Sequence, residues 1–384
     1  MRPARDNATL PLRLLQVLEP SGGGSGRHFL DLCRGLKQRG HVVHAVYSPR
    51  RAEERFVGEL LSIGLDGVHA LDMARSPGLS DIASYIGLRQ VMRRHGPFDA
   101  IHGHSSKAGA LSRLRFPGPH VPRIYTPHAF RTMDPHLGAT GAFVYGFIER
   151  LLARFFTDEL ICVSADEYAH ARALGIPRKR LSIIVNGVDE PAHGLRDAIR
   201  EALAIPAHAL VFGFVGRLSA QKAPERLIEA FTVAAQTLPD AYLLMVGTGE
   251  LEQMVGYKID SSTARDRIRL TTRYTGRQVM DAIDILTMPS RYEAMSYVML
   301  EAAAAARPLV LTEVGGASTV LQDGRNGVLV ENVDDPRPFA KAMIKAANPV
   351  RFERFRAEAL RRSGDYGLPR MIGDTEAIYR RLAR

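Results

Sequence analysis

Tryptophan is absent from the 384 residues, and cysteine occurs only twice. Without tryptophan, and with the basic residues dispersed, the chain offers no stacking platform for a nucleic acid, so no nucleic-acid partner is expected. Cys33 and Cys162 lie in apolar helix-like and strand-like surroundings. Two such residues exclude a disulfide framework and any zinc-ligand spacing, and each reads as a small buried hydrophobe in a reducing compartment. No run approaches the roughly 18 apolar residues of a membrane span, and the N-terminus, charged at Arg2, Arg5 and Asp6, lacks the apolar core of a secretory signal. The expected location is cytoplasmic, soluble or peripheral on the inner face of a membrane.

What is present is ordinary globular composition, 46% hydrophobic and 24% charged. At roughly 150 residues per domain this length makes two or three domains, each able to bury a core unaided. The net charge of +10 is uneven: residues 1–190 hold 25 basic against 18 acidic side chains, and the remainder 26 against 23. A positive first half suits an anionic partner, including a phosphate ligand or an acidic membrane surface.

Short runs rich in branched apolar residues alternate with segments of helical length. They fall at residues 12–18, 41–47, 68–73, 98–102, 123–126, 159–163 and 181–185, then at 211–215, 242–246, 268–271, 285–288 and 308–312. Such alternation predicts βα units around buried parallel sheets, here two doubly wound domains. The turn at Asn186-Gly187-Val188-Asp189-Glu190-Pro191 places the boundary near residue 190. Pro336 opens a helical region whose 351–362 and 370–384 segments carry many arginines. Residues 142–156 place Phe143, Val144, Phe147, Ile148, Leu151, Leu152, Phe155 and Phe156 on one face, with Arg150 and Arg154 on another. Core packing is the preferred reading of that stripe, and contact with a membrane surface the alternative.

Ligands of open parallel sheets bind beyond the carboxyl ends of the strands, so the natural site is a cleft between the two domains. After the first run, Ser21-Gly22-Gly23-Gly24-Ser25-Gly26 misses the dinucleotide fingerprint because Arg27 stands where its last glycine belongs. Free amides at Gly23 and Gly24 still suit an anionic or sugar ligand. In the second domain, Gly216-Arg217-Leu218-Ser219-Ala220-Gln221-Lys222 sets two cations just past a strand end, placed to clamp a diphosphate and stabilise charge as it departs. Glu293 and Glu301 flank a predicted helix start near Ser296. One carboxylate there can hold a ribose and the other a hexose, while amides around Met295, Ser296 and Tyr297 face the phosphates. In the first domain His104, followed by Ser105, and His128 stand at strand ends, where an imidazole can donate to a substrate hydroxyl.

Taken in order, these pieces resemble the retaining GT-B glycosyltransferases of family 4, which use nucleotide-sugar donors. The resemblance rests on residues 99–107, Thr126-Pro127-His128, Val185-Asn186-Gly187-Val188-Asp189, Gly216-Arg217-Leu218 through Lys222, Val246-Gly247-Thr248-Gly249, Pro289-Ser290-Arg291-Tyr292-Glu293 with Glu301, and Gly315-Gly316. It implies an α/β protein of GT-B architecture: two Rossmann-like doubly wound domains facing across a cleft. The acceptor side would span residues 1–190 and the donor side 191–368, with residues 369–384 forming a helix that crosses back.

By the same resemblance, Arg217 and Lys222 bind the donor diphosphate, Glu301 the ribose and Glu293 the transferred sugar, which His128 also contacts. Catalysis would fall to His128, Arg217, Lys222 and Glu293. Gly23, Gly24, Gly216, Ala294, Met295, Ser296 and Tyr297 would complete the donor site, with His104 and Ser105 on the acceptor side. The implied reaction retains anomeric configuration and needs no metal and no cofactor, the donor being a substrate, a UDP-sugar in preference to a GDP-sugar. The acceptor would be a glycan or a polyprenyl-diphosphate-linked sugar in surface polysaccharide assembly. Ala223 and Ala294 stand where the family usually has glycine. They keep open a non-catalytic nucleotide-sugar-binding protein, beside a nucleotide-sugar epimerase on the same scaffold.

Overall fold

The computed structural model describes residues 10–383 except 75, 116–119, 135–136 and 294. The chain forms two compact units. One runs up to Gly187 and regains the chain from Leu368 onward; the other is Val188–Gly367. The division falls at Val188 because its amide donates to the Tyr366 carbonyl (2.9 Å) and it bridges Gly367, so the second unit begins and ends side by side.

The first unit holds a seven-stranded sheet of β1 (Arg13–Leu18), β2 (Val42–Tyr47), β3 (Gly67–Ala70), β4 (Ala100–His104), β5 (Arg123–Thr126), β6 (Glu159–Cys162) and β7 (Leu181–Ile183). Its order is β3-β2-β1-β4-β5-β6-β7, with every pair parallel. The second unit holds β8 (Leu210–Val215), β9 (Ala241–Val246), β10 (Ile268–Thr271), β11 (Ile285–Met288), β12 (Leu309–Thr312) and β13 (Gly327–Val330) in the parallel order β10-β9-β8-β11-β12-β13. Helices cover both faces, so strand interiors such as Leu14, Leu15, Val17, Phe212 and Phe214 are wholly buried. That is why these strands read as continuous apolar runs. Both cysteines are buried.

Two expectations change. β13 is an extra edge strand, too short at Gly-Val-Leu-Val to stand out; Gly327 is required there because a Cβ would lie 2.0 Å from the Leu309 carbonyl oxygen. The apolar stripe at 142–156 belongs to the helix Ala139–Phe155, but only Leu152 of its large apolar residues is fully buried. Phe143, Val144, Phe147, Ile148, Leu151 and Phe155 are exposed, which overturns core packing for this face. The helix is held instead by its opposite side, where Glu149 accepts from the buried Arg113 (2.9 Å) and from the Tyr125 hydroxyl (3.2 Å). Removing one partner of such a buried pair costs about 3–5 kcal/mol.

The last helix, Leu368–Leu382, packs on the helix Gly23–Gln38 within the first unit. Gly35 makes this approach possible, since a Cβ there would sit 2.1 Å from Ile372 Cδ1. Tyr379 is thereby driven to full burial beside Gln16 of β1 and His102 of β4.

Candidate active site

Strand order reverses direction between β1 and β4 in one sheet and between β8 and β11 in the other. Loops leaving adjacent strands to opposite faces open a crevice there, and the candidate residues gather at both reversals.

In the first unit, His128 follows β5 on a left-handed backbone (φ 53°), as does Ala129 (φ 76°). Neither residue has the glycine freedom that conformation favours, so the turn needs an external hold. Glu167 supplies it: one carboxylate oxygen accepts from the Ala129 amide and the other from the Val163 amide, each at 2.7 Å. Burial nevertheless pushes the Glu167 carboxyl up to about 7. Ser105 also adopts positive φ (65°) and receives the chain at the head of the helix Ser106–Arg113.

Behind His128 runs a buried chain of hydrogen bonds. His128 Nε2 meets His104 Nδ1 (3.2 Å), His104 Nε2 donates to Gln16 Oε1 (3.0 Å), and Gln16 Nε2 donates to the Tyr379 hydroxyl (3.1 Å). Tyr379 meets His102 Nδ1 (2.6 Å), and His102 Nε2 meets Thr126 Oγ1 (2.8 Å). With the Gln16 amide set this way all bonds run in one direction, which gives His128 an Nε2 proton and leaves Nδ1 as an acceptor. Burial first, then neighbouring imidazoles, holds His104 and His128 well below the usual histidine range; burial and His28 do the same to His102. Burial lowers His28 to about 4. All four rings are therefore neutral near pH 7, hydrogen-bonding groups rather than cations.

His104 itself is fully buried, beneath His128, so it acts on a ligand only through that residue. A polar pocket of about 540 Å³ opens over this edge, with Ser105, Lys107, His128, Arg51, Arg131 and Tyr145 among its walls. Its Lys107 is committed to Asp81 (2.7 Å). Gly23 and Gly24 form the first turn of their helix, where the Gly23 amide already donates to Glu53 (3.1 Å).

Among the described residues, two histidine triples bring ring nitrogens within 4.8 Å: His28, His104 and His128, and His44, His69 and His95. In the first, both His104 nitrogens are engaged within the hydrogen-bonded chain. In the second, the Arg13 guanidinium lies 3.4 Å from His44 Nε2, a charge that opposes a cation. Ring packing, with one hydrogen bond in each triple, His104 to His128 (3.2 Å) and His44 to His69 (3.2 Å), accounts for both.

In the second unit, Gly216 leaves β8 and Arg217 is exposed, with no ion pair among the described residues. Lys222 folds back over Gly216 and its Nζ lies 2.5 Å from Glu293 Oε1. Both side chains are largely buried, at 15% and 7% exposure. The two loops are laced together: Gln221 donates to the Tyr292 carbonyl (3.0 Å), and the Arg291 amide and guanidinium donate to the Gln221 and Ala220 carbonyls (2.8 and 2.7 Å). The Gly247-Thr248-Gly249 motif packs on the first loop, where a Cβ at Gly247 would lie 1.9 Å from the Gly216 carbonyl oxygen.

Ser296 stands at the N-cap position of the helix Tyr297–Ala304 without a side-chain capping bond, and Glu301 on its second turn reaches Gly276, whose Cβ position lies 3.2 Å from Glu301 Oε2. Met295, Ser296 and Tyr297 are thus at a helix start beside Glu293, while Ala294 lies outside the described residues. Ala223 adopts φ 48°, a left-handed position where glycine fits more easily.

The arrangement pairs an exposed guanidinium and a clamped ammonium with two carboxylates on one sheet edge. It suits a polyhydroxylated ligand carrying phosphate. Sequence reasoning missed Gln16, His28, His102, Glu167 and Tyr379. Gln16 alone left a signal, a polar residue inside the apolar run of β1.

Comparison with known proteins agrees with this geometry. The family model described as Glycosyltransferase Family 4 matches residues 22–190, and that described as Glycosyl transferases group 1 matches 209–348. A D-inositol 3-phosphate glycosyltransferase of Geodermatophilus obscurus is 32% identical over 417 aligned positions, covering 97% of this chain and 88% of its own. This chain is a family 4 glycosyltransferase. The glycosyltransferase is also 28% identical, over 70% of its length and 71% of the relative's, to an Escherichia coli UDP-Gal:alpha-D-GlcNAc-diphosphoundecaprenol alpha-1,3-galactosyltransferase. Its fold is GT-B, with a TM-score of 0.79 to Anabaena Alr3699/HepE solved in complex with UDP, at 18% identity over 96% of this chain and 99% of that one. The family and fold expected from the motifs are thereby borne out.

Proposed function

We propose that this glycosyltransferase moves a hexose, with retention of configuration, from a nucleotide-diphosphate sugar to a lipid-linked or glycan acceptor in surface polysaccharide assembly. The carrying observation is the Lys222–Glu293 pair, held at the strand reversal of the second sheet beside Arg217 and Glu301. In this reading the donor diphosphate draws Lys222 away from Glu293 and adds Arg217, so positive charge meets the charge that grows on the leaving group. Glu293, released, accepts from the hydroxyls of the transferred sugar, and Glu301 accepts from the ribose. His128 is assigned to the same sugar through its free Nδ1. The acceptor enters on the face vacated by the departing phosphate, which takes the acceptor proton, and no step requires a metal.

A UDP-sugar is the preferred donor, supported by the UDP-Gal and diphosphoundecaprenol in the name of the E. coli relative. The work site in this reading is the inner face of a membrane. A second reading, a small phosphorylated polyol as acceptor, is favoured by the D-inositol 3-phosphate relatives and by the cations around the polar pocket. Purified enzyme incubated with UDP- and GDP-sugars and either a polyprenyl-diphosphate-linked sugar or an inositol phosphate separates the two. NMR of the product reads the anomeric configuration. Transfer only to the inositol phosphate refutes the lipid-linked assignment, an inverted product refutes retention, and failure of every donor and acceptor refutes the function.

A further inference from the structure

The helix Ala139–Phe155 presents to solvent what a soluble core would normally hide. Phe143, Phe147 and Phe155 are 76%, 60% and 59% exposed, and Val144, Ile148 and Leu151 are exposed between them. At 100° per residue these six side chains span about 140° of the helix surface, opposite the buried Glu149. With about 200 Å² for a whole phenylalanine side chain, the patch is on the order of 600 Å², at the upper end of what a monomer shows.

Its rim is cationic. Arg150 borders the stripe and Arg154 falls just inside its edge, and the exposed Arg178 and Lys179 follow on the short helix Arg178–Arg180 that packs under the end of this helix. The contact is made by Arg180, which donates to the Ala153, Arg154 and Thr157 carbonyls (2.6, 2.6 and 2.9 Å). Arg150, Arg154, Arg178 and Lys179 form no ion pair among the described residues, and the helix's one acidic residue is the buried Glu149. The same helix supplies Tyr145 to the pocket that holds His128 and Ser105.

We infer that this face docks on an anionic lipid bilayer, with the aromatic stripe in the interface and the basic rim against the headgroups. The charge pattern chooses the occupant. A second copy would bring these cations against their own likeness with no carboxylate on the helix's exposed side to answer them, whereas an anionic surface complements them. Tyr145 leaves the opposite side of the same helix, so docking in this orientation holds the pocket about one helix diameter from the bilayer where a lipid-borne acceptor resides. The inference deepens the lipid-linked reading of the acceptor and rests on it for its purpose.

The full chain is sedimented with vesicles of phosphatidylcholine alone and of phosphatidylcholine mixed with phosphatidylglycerol. Wild type is expected to pellet with the anionic vesicles and to be released by salt. Arg150→Glu with Arg154→Glu, and separately Phe143→Ser with Phe147→Ser, should each weaken binding at least about tenfold, with unchanged circular dichroism and unchanged transfer to a water-soluble acceptor analogue. Wild type left in the supernatant, variants that bind like wild type, equal binding to neutral vesicles, or a dimer in sedimentation velocity broken by either variant would each overturn the inference. Soluble transfer without vesicle binding refutes docking alone, whereas vesicle binding without any transfer refutes the catalytic reading.

Discussion

Tyr379→Phe removes one oxygen atom from the middle of the buried chain behind His128. Gln16 Nε2 then loses its acceptor and His102 Nδ1 its partner, in a site with no solvent access. Each stranded buried polar group costs about 1–3 kcal/mol, so the first unit should lose about 3 kcal/mol. For a unit of this size that lowers the melting temperature by about 6–12 °C. A second consequence separates positioning from stability: with Gln16 free to turn, His104 no longer holds the His128 tautomer, and kcat per folded enzyme should fall about 10- to 100-fold. Ile378→Val is the control, a buried neighbour on the same helix that costs about 0.5–1.5 kcal/mol without touching the chain. Thermal denaturation and steady-state transfer kinetics read both effects. An unchanged melting temperature in Tyr379→Phe would refute the hydrogen-bond accounting, and wild-type kcat in the folded variant would refute the link to His128.

Lys222→Ala should abolish most turnover and also destabilise the second unit by about 3–5 kcal/mol, because Glu293 is left largely buried without its counter-charge. Adding Glu293→Ala should restore stability but not turnover, and wild-type rates in the single variant would remove Lys222 from the site. Glu301→Ala is expected to weaken nucleotide binding about tenfold by calorimetry while leaving the melting temperature nearly unchanged, and equal affinity would count against its ribose role. Acidification should unfold the protein early. His28 falls from 6.5 to about 4 on folding, so the unfolded chain takes the proton first; the stability is intact above 6.5 and disappears as pH drops towards 4, by about 3 kcal/mol from His28 alone. His102, His104 and His128 act in the same direction. Urea midpoints that stay level from pH 7.5 to about pH 5 would refute burial of neutral rings.

Parallel strands buried on both faces leave apolar runs that can be read one segment at a time, and β1, β8 and β9 were visible within a residue or two. The loops that leave them carry Gly216 to Lys222 and Glu293 to Glu301, whose charges are short-range sequence patterns, so that half of the candidate site was legible too. β13 escaped because four residues at a sheet edge carry too little pattern.

Other features were never local. Tyr379 reaches Gln16 and His102 only after the last helix returns to the first unit, and nothing around position 379 announces that contact. His104 and His128 look alike as strand-end histidines, yet one is sealed beneath the other. The stripe at 143–155 was amphipathic by period, but period reports only that a helix has two faces. Which face is covered depends on what the fold brings against it, and here Arg113 and Tyr125 claim the Glu149 side and leave the phenylalanines outside. Chemistry carried by neighbouring residues was therefore set by the amino-acid order itself, whereas burial, hydrogen-bond partnership and the outward face of that helix were decided by packing between segments far apart in the chain.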